Sequence, residues 1–109
     1  MDLKCLHTQT YDVQKVLVNT PQPLEDRDRR DAQKVQSAFG KHLRKLRAEK
    51  HQTTEHVAEV AGIHPNYLSS VERGERNLGL FNIWRIAQAL NVPASELLVA
   101  LPVGKKSRL

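Results

Sequence analysis

Residues 57–77 read V-A-E-V-A-G-I-H-P-N-Y-L-S-S-V-E-R-G-E-R-N. Val57, Ala58 and Ala61 fall on one inward face of a short helix, and Gly62 stops it because glycine accepts a positive φ. A three-residue turn, Gly62-Ile63-His64, leads into a second short helix opening on Pro65. Proline suits the first helical position, where its missing N–H would be unpaired anyway. Leu68 and Val71 form the inward pair of this second helix, and Gly74 ends it. Ala58 is small enough for the two helices to cross closely, and Ile63 fills the angle between them. The pattern predicts a helix-turn-helix.

The flanking sequence extends this into an all-α domain. Upstream, Phe39, Leu43 and Leu46 recur at i, i+4 and i+7, predicting a helix from about residue 36 to about residue 50. Thr53 is placed to cap the next helix, with Glu55 near its positive end. Downstream, Leu80, Ile83, Ile86, Ala87 and Leu90 predict one apolar helix face over residues 80–90. Residues 94–101 form a short fifth helix after Asn91-Val92-Pro93. Nothing after residue 36 alternates in a way that demands a strand. The expected organisation is an N-terminal arm or linker over 1–35, a five-helix domain over 36–102 and a basic tail over 103–109. In the arm, residues 19–30 hold two prolines and a dense charge run. Ahead of them, Tyr11, Val13, Val16, Leu17 and Val18 make an apolar patch that suits a helix turn or a strand.

Composition sets limits. A chain of 109 residues, 39% hydrophobic and 27% charged, is one globular domain with some left over, which excludes a large multi-domain enzyme. The longest apolar run, residues 97–101, is too short to cross a bilayer, and the N-terminus has no secretory pattern. The single cysteine, Cys5, cannot bridge the chain to itself. This fits a cytoplasmic, nucleoid-associated protein, with an intersubunit disulfide left open. The net charge is +5, and its placement is informative. Residues 1–35 carry six basic and six acidic side chains, whereas residues 36–109 carry eleven and six. Lys41, Arg44, Lys45, Arg47 and Lys50 cluster before the helix-turn-helix, and Lys105, Lys106 and Arg108 lie at the C-terminus. Such an excess favours a polyanion, since each neutralised phosphate releases counterions; a solvated helix face gives the same composition.

Three blocks carry a family resemblance: V-A-E-V-A-G-I at 57–63, Y-L-S-S-V-E-R-G-E-R-N at 67–77 and I-A-Q-A-L-N-V at 86–92. With their spacing, residues 39–98 resemble the lambda-repressor-like, or xenobiotic-response-element, family of helix-turn-helix DNA-binding domains. The stretch from Gly62 to Asn77 is most similar to restriction–modification controller-type regulators. Three positions depart from the family pattern. Thr54 stands where a phosphate-fixing glutamine is usual, His56 where a glutamate would complete a capping box, and Gln52 where an apolar residue precedes the cap. These departures bear on the phosphate clamp and leave the fold intact.

In a helix-turn-helix the second helix enters the major groove and presents its N-terminal residues to base edges. Asn66 pairs bidentately with adenine, Arg73 with guanine, and Ser69 and Ser70 are shorter, less selective partners. Thr54, Tyr67, Arg76 and Asn77 are placed for phosphates. The family pattern implies that Glu72 turns inward and pairs with Arg47, fixing the tilt of the helix and leaving Arg47 an edge for a phosphate. Phe81 and Trp84 lie off the apolar face of the fourth helix, which points to a homodimer through Phe81, Trp84, Leu98 and Leu101, unless the arm covers them. His7, His42, His51, His56 and His64 show no metal-site spacing and read as surface or cap residues. No cofactor motif and no nucleophile–base pair is present, so an enzyme is not expected. The expected function is a sequence-specific transcriptional regulator that binds double-stranded DNA as a homodimer on a near-palindromic operator. The alternative is an antitoxin-like DNA-binding protein whose N-terminal arm grips a protein partner.

Overall fold

The computed structural model describes residues 25–104. They form five helices: α1 (Asp26–Glu49), α2 (Thr54–Ala61), α3 (Pro65–Glu72), α4 (Leu80–Leu90) and α5 (Ala94–Leu98). No strand occurs among the described residues, in agreement with the expected all-α, five-helix class. Most of the arm, Cys5, the Tyr11–Val18 apolar positions and the basic residues of the tail lie outside the described residues.

The helices differ from the sequence reading in three places. α1 begins at Asp26, so residues 26–35, expected in the arm, are helical. Their sequence, D-R-D-R-R-D-A-Q-K-V, has no apolar stripe to reveal a helix by periodicity. It is held instead by good helix formers, by Asp26 and Asp28 at the positive end, and by an exposed i,i+3 pair, Arg29 Nη1 to Asp26 Oδ1 at 3.2 Å. Leu80, expected on the inner face of α4, is 77% exposed; the inner stripe starts with Ile83. α5 stops at Leu98, three residues earlier than expected.

Four of the helices terminate alike. The residue after the last turn takes a positive φ: His51 at 56°, Gly62 at 76°, Gly74 at 81° and Asn91 at 58°. The following amide then reaches back five residues. Gln52 N donates to the Arg47 carbonyl at 3.1 Å, Ile63 N to Ala58 at 2.9 Å, Glu75 N to Ser70 at 2.9 Å and Val92 N to Ala87 at 3.0 Å. This Schellman closure satisfies carbonyls that would otherwise end unpaired, and it turns the chain sharply enough for eight-residue helices to pack.

The core is formed by Phe39, Leu43 and Leu46 of α1, Val57, Ala58 and Ala61 of α2, Leu68 and Val71 of α3, Ile86, Ala87 and Leu90 of α4, and Leu97 of α5. Each fully buried leucine contributes about 1.5–3 kcal/mol by leaving water. α2 packs on α3 and α4, and α5 on α4 and α1. His42 Nε2 lies 2.7 Å from the Glu96 carbonyl oxygen and ties α1 to the start of α5.

α3 rests on α1 through two contacts of different kinds. At Gly40 the backbones meet: a β-carbon there would fall on the Val71 carbonyl oxygen and 2.6 Å from that of Glu72. About two turns further along α1, Arg47 grips Glu72, with Nε to Oε2 at 2.7 Å and Nη2 to Oε1 at 3.0 Å. The two side chains are 16% and 8% exposed, so the pair is largely desolvated. Gly40→Ala is expected to destabilise the domain by about 1–3 kcal/mol through overpacking, even though alanine alone would favour the helix by about 1 kcal/mol. The melting temperature should fall by about 4–8 °C per kcal/mol in a domain of this size. Glu72→Ala leaves Arg47 charged and unpaired; a loss of about 3 kcal/mol is expected, the lower end of the range for breaking a buried pair from one side. Thermal melts followed by circular dichroism check both, and midpoints equal to wild type would mean that neither contact holds α3.

Candidate nucleic-acid interface

α3 has both ends fixed. His64 is its N-cap: Nδ1 accepts the Asn66 N–H at 3.0 Å, and Pro65 occupies the first helical position. At the other end Gly74 takes its positive φ. Its carbonyl accepts from Gln33 Nε2 at 3.3 Å and Gln36 Nε2 at 3.0 Å, and a β-carbon there would lie 2.9 Å from Ser37 Oγ. The loop leaving α3 is therefore clamped to α1. The two glutamine clamps are invisible in the sequence, since Gln33 belongs to a stretch with no helical periodicity.

Between these ends, Asn66, Ser69 and Arg73 share one stripe at i, i+3 and i+7, with Leu68 and Val71 turned into the core. Asn66 and Arg73 are exposed and Ser69 is half-buried. Ser70, expected beside them as a base contact, is only 5% exposed. Its hydroxyl donates to the Tyr67 carbonyl at 2.6 Å and accepts from Arg76 Nε at 3.1 Å. It supports its neighbours and does not face outward.

The residues expected at phosphates are placed unequally. Arg76 lies over the Tyr67 ring, 5.6 Å from its centroid, while its Nε is held by Ser70. Stacking of this kind immobilises a guanidinium beside an aromatic face. Arg76 and Tyr67 thus form one unit, and Asn77 is exposed next to it. Thr54 is the first residue of α2, half-buried beside the cap in which Thr53 Oγ1 accepts the His56 N–H at 3.0 Å. Arg47 departs from expectation. Its third nitrogen, Nη1, donates to the Gln52 carbonyl at 2.9 Å, so the edge foreseen for a phosphate faces its own chain. Glu72, chiefly by hydrogen bonding, raises the Arg47 pKa above its ordinary value. A raised cation contributes fully at every pH below that value, so the Arg47–Glu72 lock is not lost by deprotonation of Arg47 in the physiological range. Lys41, Arg44, Lys45 and Lys50 remain exposed on and just after α1.

Arg73 carries a partner the sequence reading did not foresee. Its Nε donates to Glu75 Oε2 at 3.0 Å and its Nη2 to Glu75 Oε1 at 3.2 Å. The hydrogen bond from Arg73 is the main reason that the Glu75 carboxyl lies below its ordinary pKa.

On the far side of α4, Phe81 and Trp84 are 64% and 49% exposed and stacked, with ring centroids 5.9 Å apart and planes 13° apart. Leu80, Leu98 and Val99 are further exposed apolar residues, while Leu101 is half-buried against the core. Arg85 lies 5.1 Å from the Phe81 ring centroid and donates from Nη2 to the Gly62 carbonyl at 3.0 Å. Among the described residues no group of three or more His, Cys, Asp or Glu side chains could hold a metal ion, and no helix is long and apolar enough to cross a membrane.

A helix-turn-helix family profile matches residues 43–97, which run from α1 into α5 and include both helices of the motif. The chain is 35% identical over 71 residues to the control protein C.BamHI of Bacillus amyloliquefaciens, across 64% of this chain and 88% of that protein. In structure it is similar to the restriction-modification controller protein C.AhdI from Aeromonas hydrophila, with a TM-score of 0.56 and 40% identity over 57% of this chain and 94% of that one. It is also similar to the hypothetical transcription factor NHTF from Neisseria, with a TM-score of 0.59 and 32% identity over 75% of this chain and 88% of that one. The matched range takes in the short capped α2, the Gly62 turn and α3, and the chain belongs to the lambda-repressor-like helix-turn-helix family of DNA-binding transcriptional regulators.

Proposed function

We propose that this chain is a sequence-specific regulator that binds a near-palindromic operator as a homodimer, each subunit placing α3 in the major groove. The observation that carries this reading is the outward stripe Asn66–Ser69–Arg73 on a helix fixed at both ends and along its back. Asn66, at the N-terminal end, reads adenine through its amide; Arg73 reads guanine or a phosphate through its fork; Ser69 is a shorter contact. Tyr67 with Arg76, Asn77 and Thr54 set register on the phosphates. Likeness to the control proteins C.BamHI and C.AhdI supports a regulator of this type.

The homodimer is supported by the apolar side chains of Leu80, Phe81, Trp84, Leu98 and Val99, which stay exposed among the described residues. Aromatic clusters exposed on one face mark interfaces more often than accidental surface. A two-fold pairing of this face would set two α3 helices on one side of the duplex, about 34 Å apart, one helical turn of DNA.

In vitro selection from random duplex DNA is expected to return an inverted repeat. Asn66→Ala should lose preference at one or two base pairs per half-site, by about 1–3 kcal/mol, or about 5–150-fold. If the variant selects the same sites as strongly as wild type, Asn66 does not read bases. Trp84→Glu should sediment as a monomer and bind its site far more weakly; a dimer that persists in the variant would move the interface off this face.

A further inference from the structure

The N-terminal end of α3 has no backbone donor to spare. Pro65 lacks an N–H, the Asn66 N–H donates to His64 Nδ1 at 3.0 Å, and the Tyr67 and Leu68 amides both donate to the His64 carbonyl, at 3.0 and 3.1 Å. The free amides with which a helix N-terminus ordinarily holds a phosphate are thus consumed by a single residue. What remains at this end is the side chain of His64. Acceptance at Nδ1 uses the lone pair of that nitrogen, so in this geometry the ring proton sits on Nε2. His64 is exposed, and its Nε2–H makes no hydrogen bond among the described residues. The two nitrogens of an imidazole point nearly opposite ways. With Nδ1 turned to Asn66, Nε2–H is aimed away from α3, past its N-terminal end.

We propose that His64 is a DNA-contacting residue in which Nδ1 caps α3 and Nε2–H donates to a backbone phosphate at the wall of the major groove. This deepens the reading of α3 given above and rests on it. The major groove is about 12 Å wide, and a helix with its side chains is about 10–12 Å across. A helix laid there fills the width, so a donor aimed past its end meets the sugar–phosphate wall, while Asn66 points at base edges. A single N–H forms no bidentate pair and reads no sequence by itself. Its use is register. One ring holds the Asn66 N–H with one nitrogen and the phosphate with the other, so the Asn66 amide stands at a fixed offset from the DNA backbone. Arg76 and Asn77, in the loop beyond the other end of α3, give the second fixed point.

Serine is a preferred N-cap, so His64→Ser keeps an acceptor for the Asn66 N–H and removes the Nε2 donor. Its melting temperature should stay within about 3 °C of wild type. Its affinity for the operator that wild type selects should fall about 3–10-fold per half-site, the range for one lost hydrogen bond. The selected base motif should not change, and neither should the salt slope, because no cation is removed. His64→Ala loses the cap as well and should melt about 4–8 °C lower. The operator is then scanned with methylphosphonates, one phosphate at a time. One position per half-site should weaken wild type about 3–10-fold more than it weakens His64→Ser; elsewhere the two proteins should respond alike. Full operator affinity in His64→Ser, equal phosphate sensitivity in the two proteins, or a loss confined to one base position overturns the inference. So does a salt slope lower by about 0.9 per half-site, the mark of a cation at residue 64, or a His64→Ala melt equal to wild type, which removes the cap that fixes the ring. A wild-type chain that selects no site overturns the reading of α3 itself; a selecting wild type matched by His64→Ser overturns only the role of His64.

Discussion

The Val71 and Glu72 carbonyl oxygens occupy the place where a side chain on residue 40 would stand. Only a residue without a β-carbon lets α1 and α3 touch backbone to backbone there, and this sets how far α3 stands from the body. The Arg47–Glu72 pair, 2.7 Å at its shorter bond, sets the rotation of α3 about its own axis. Neither contact could replace the other. A steric stop fixes distance and has no preferred rotation, while a bidentate fork fixes orientation but tolerates some sliding. Arg47 also holds the Gln52 carbonyl, so a single guanidinium registers α1, the turn before α2 and the C-terminal end of α3. The orientation of Asn66, Ser69 and Arg73 follows from these contacts.

Helices of eight residues are not stable alone, because nucleation is costly and too few bonds follow to offset it. α2 and α3 are each that length. Their order comes from outside: Thr53 and His64 at the N-termini, positive-φ closures at Gly62 and Gly74, and Leu68, Val71, Val57 and Ala58 buried at the back. The consequence for function is rigidity. A side chain that must meet a base edge within hydrogen-bonding distance gains from a backbone that has no other place to be. The glutamine clamps on Gly74 extend this rigidity past the end of α3 into the loop that carries Glu75, Arg76 and Asn77.

What could be read from the sequence followed the strength of the local signal. Capping threonine, proline at a first helical position, terminating glycines and apolar spacing each act within a few residues, and they locate α2, α3 and the turn. The inward Glu72 and its partner Arg47 came from the family resemblance and hold in the structure. The misreadings have physical causes. Residues 26–35 form a helix with no fully buried side chain and no apolar stripe, so periodicity could not report it. Ser70 sits at a spacing that suits the outer stripe, but it is buried, with its hydroxyl held between the Tyr67 carbonyl and Arg76. Leu80 fits the inner stripe of α4 by number, yet it precedes the point where the helix meets the core. Gly40 gave no signal, because the group that needs its missing side chain is a backbone more than thirty residues away in sequence. His64 as a cap was legible only as one of several histidines suited to surface or cap positions.

α4 carries two apolar faces, and this explains how so small a domain can serve two surfaces. Ile83, Ile86, Ala87 and Leu90 close the core, while Leu80, Phe81 and Trp84 point away from it. A helix that needed only to complete the fold would present polar residues on the second face. Arg85 lies between the two faces. Its guanidinium stacks on Phe81, and its Nη2 holds the carbonyl of Gly62, the residue whose positive φ turns α2 into α3. The outward aromatic face and the turn that aims α3 are thus one side chain apart. A body seated on Phe81 would restrict Arg85 further and hold its hydrogen bond to the turn, whereas an uncovered Phe81 leaves that arginine half in water. The exposed aromatic face proposed for subunit pairing and the face of α3 proposed for DNA are therefore set on a common frame, with α4 as the shared member.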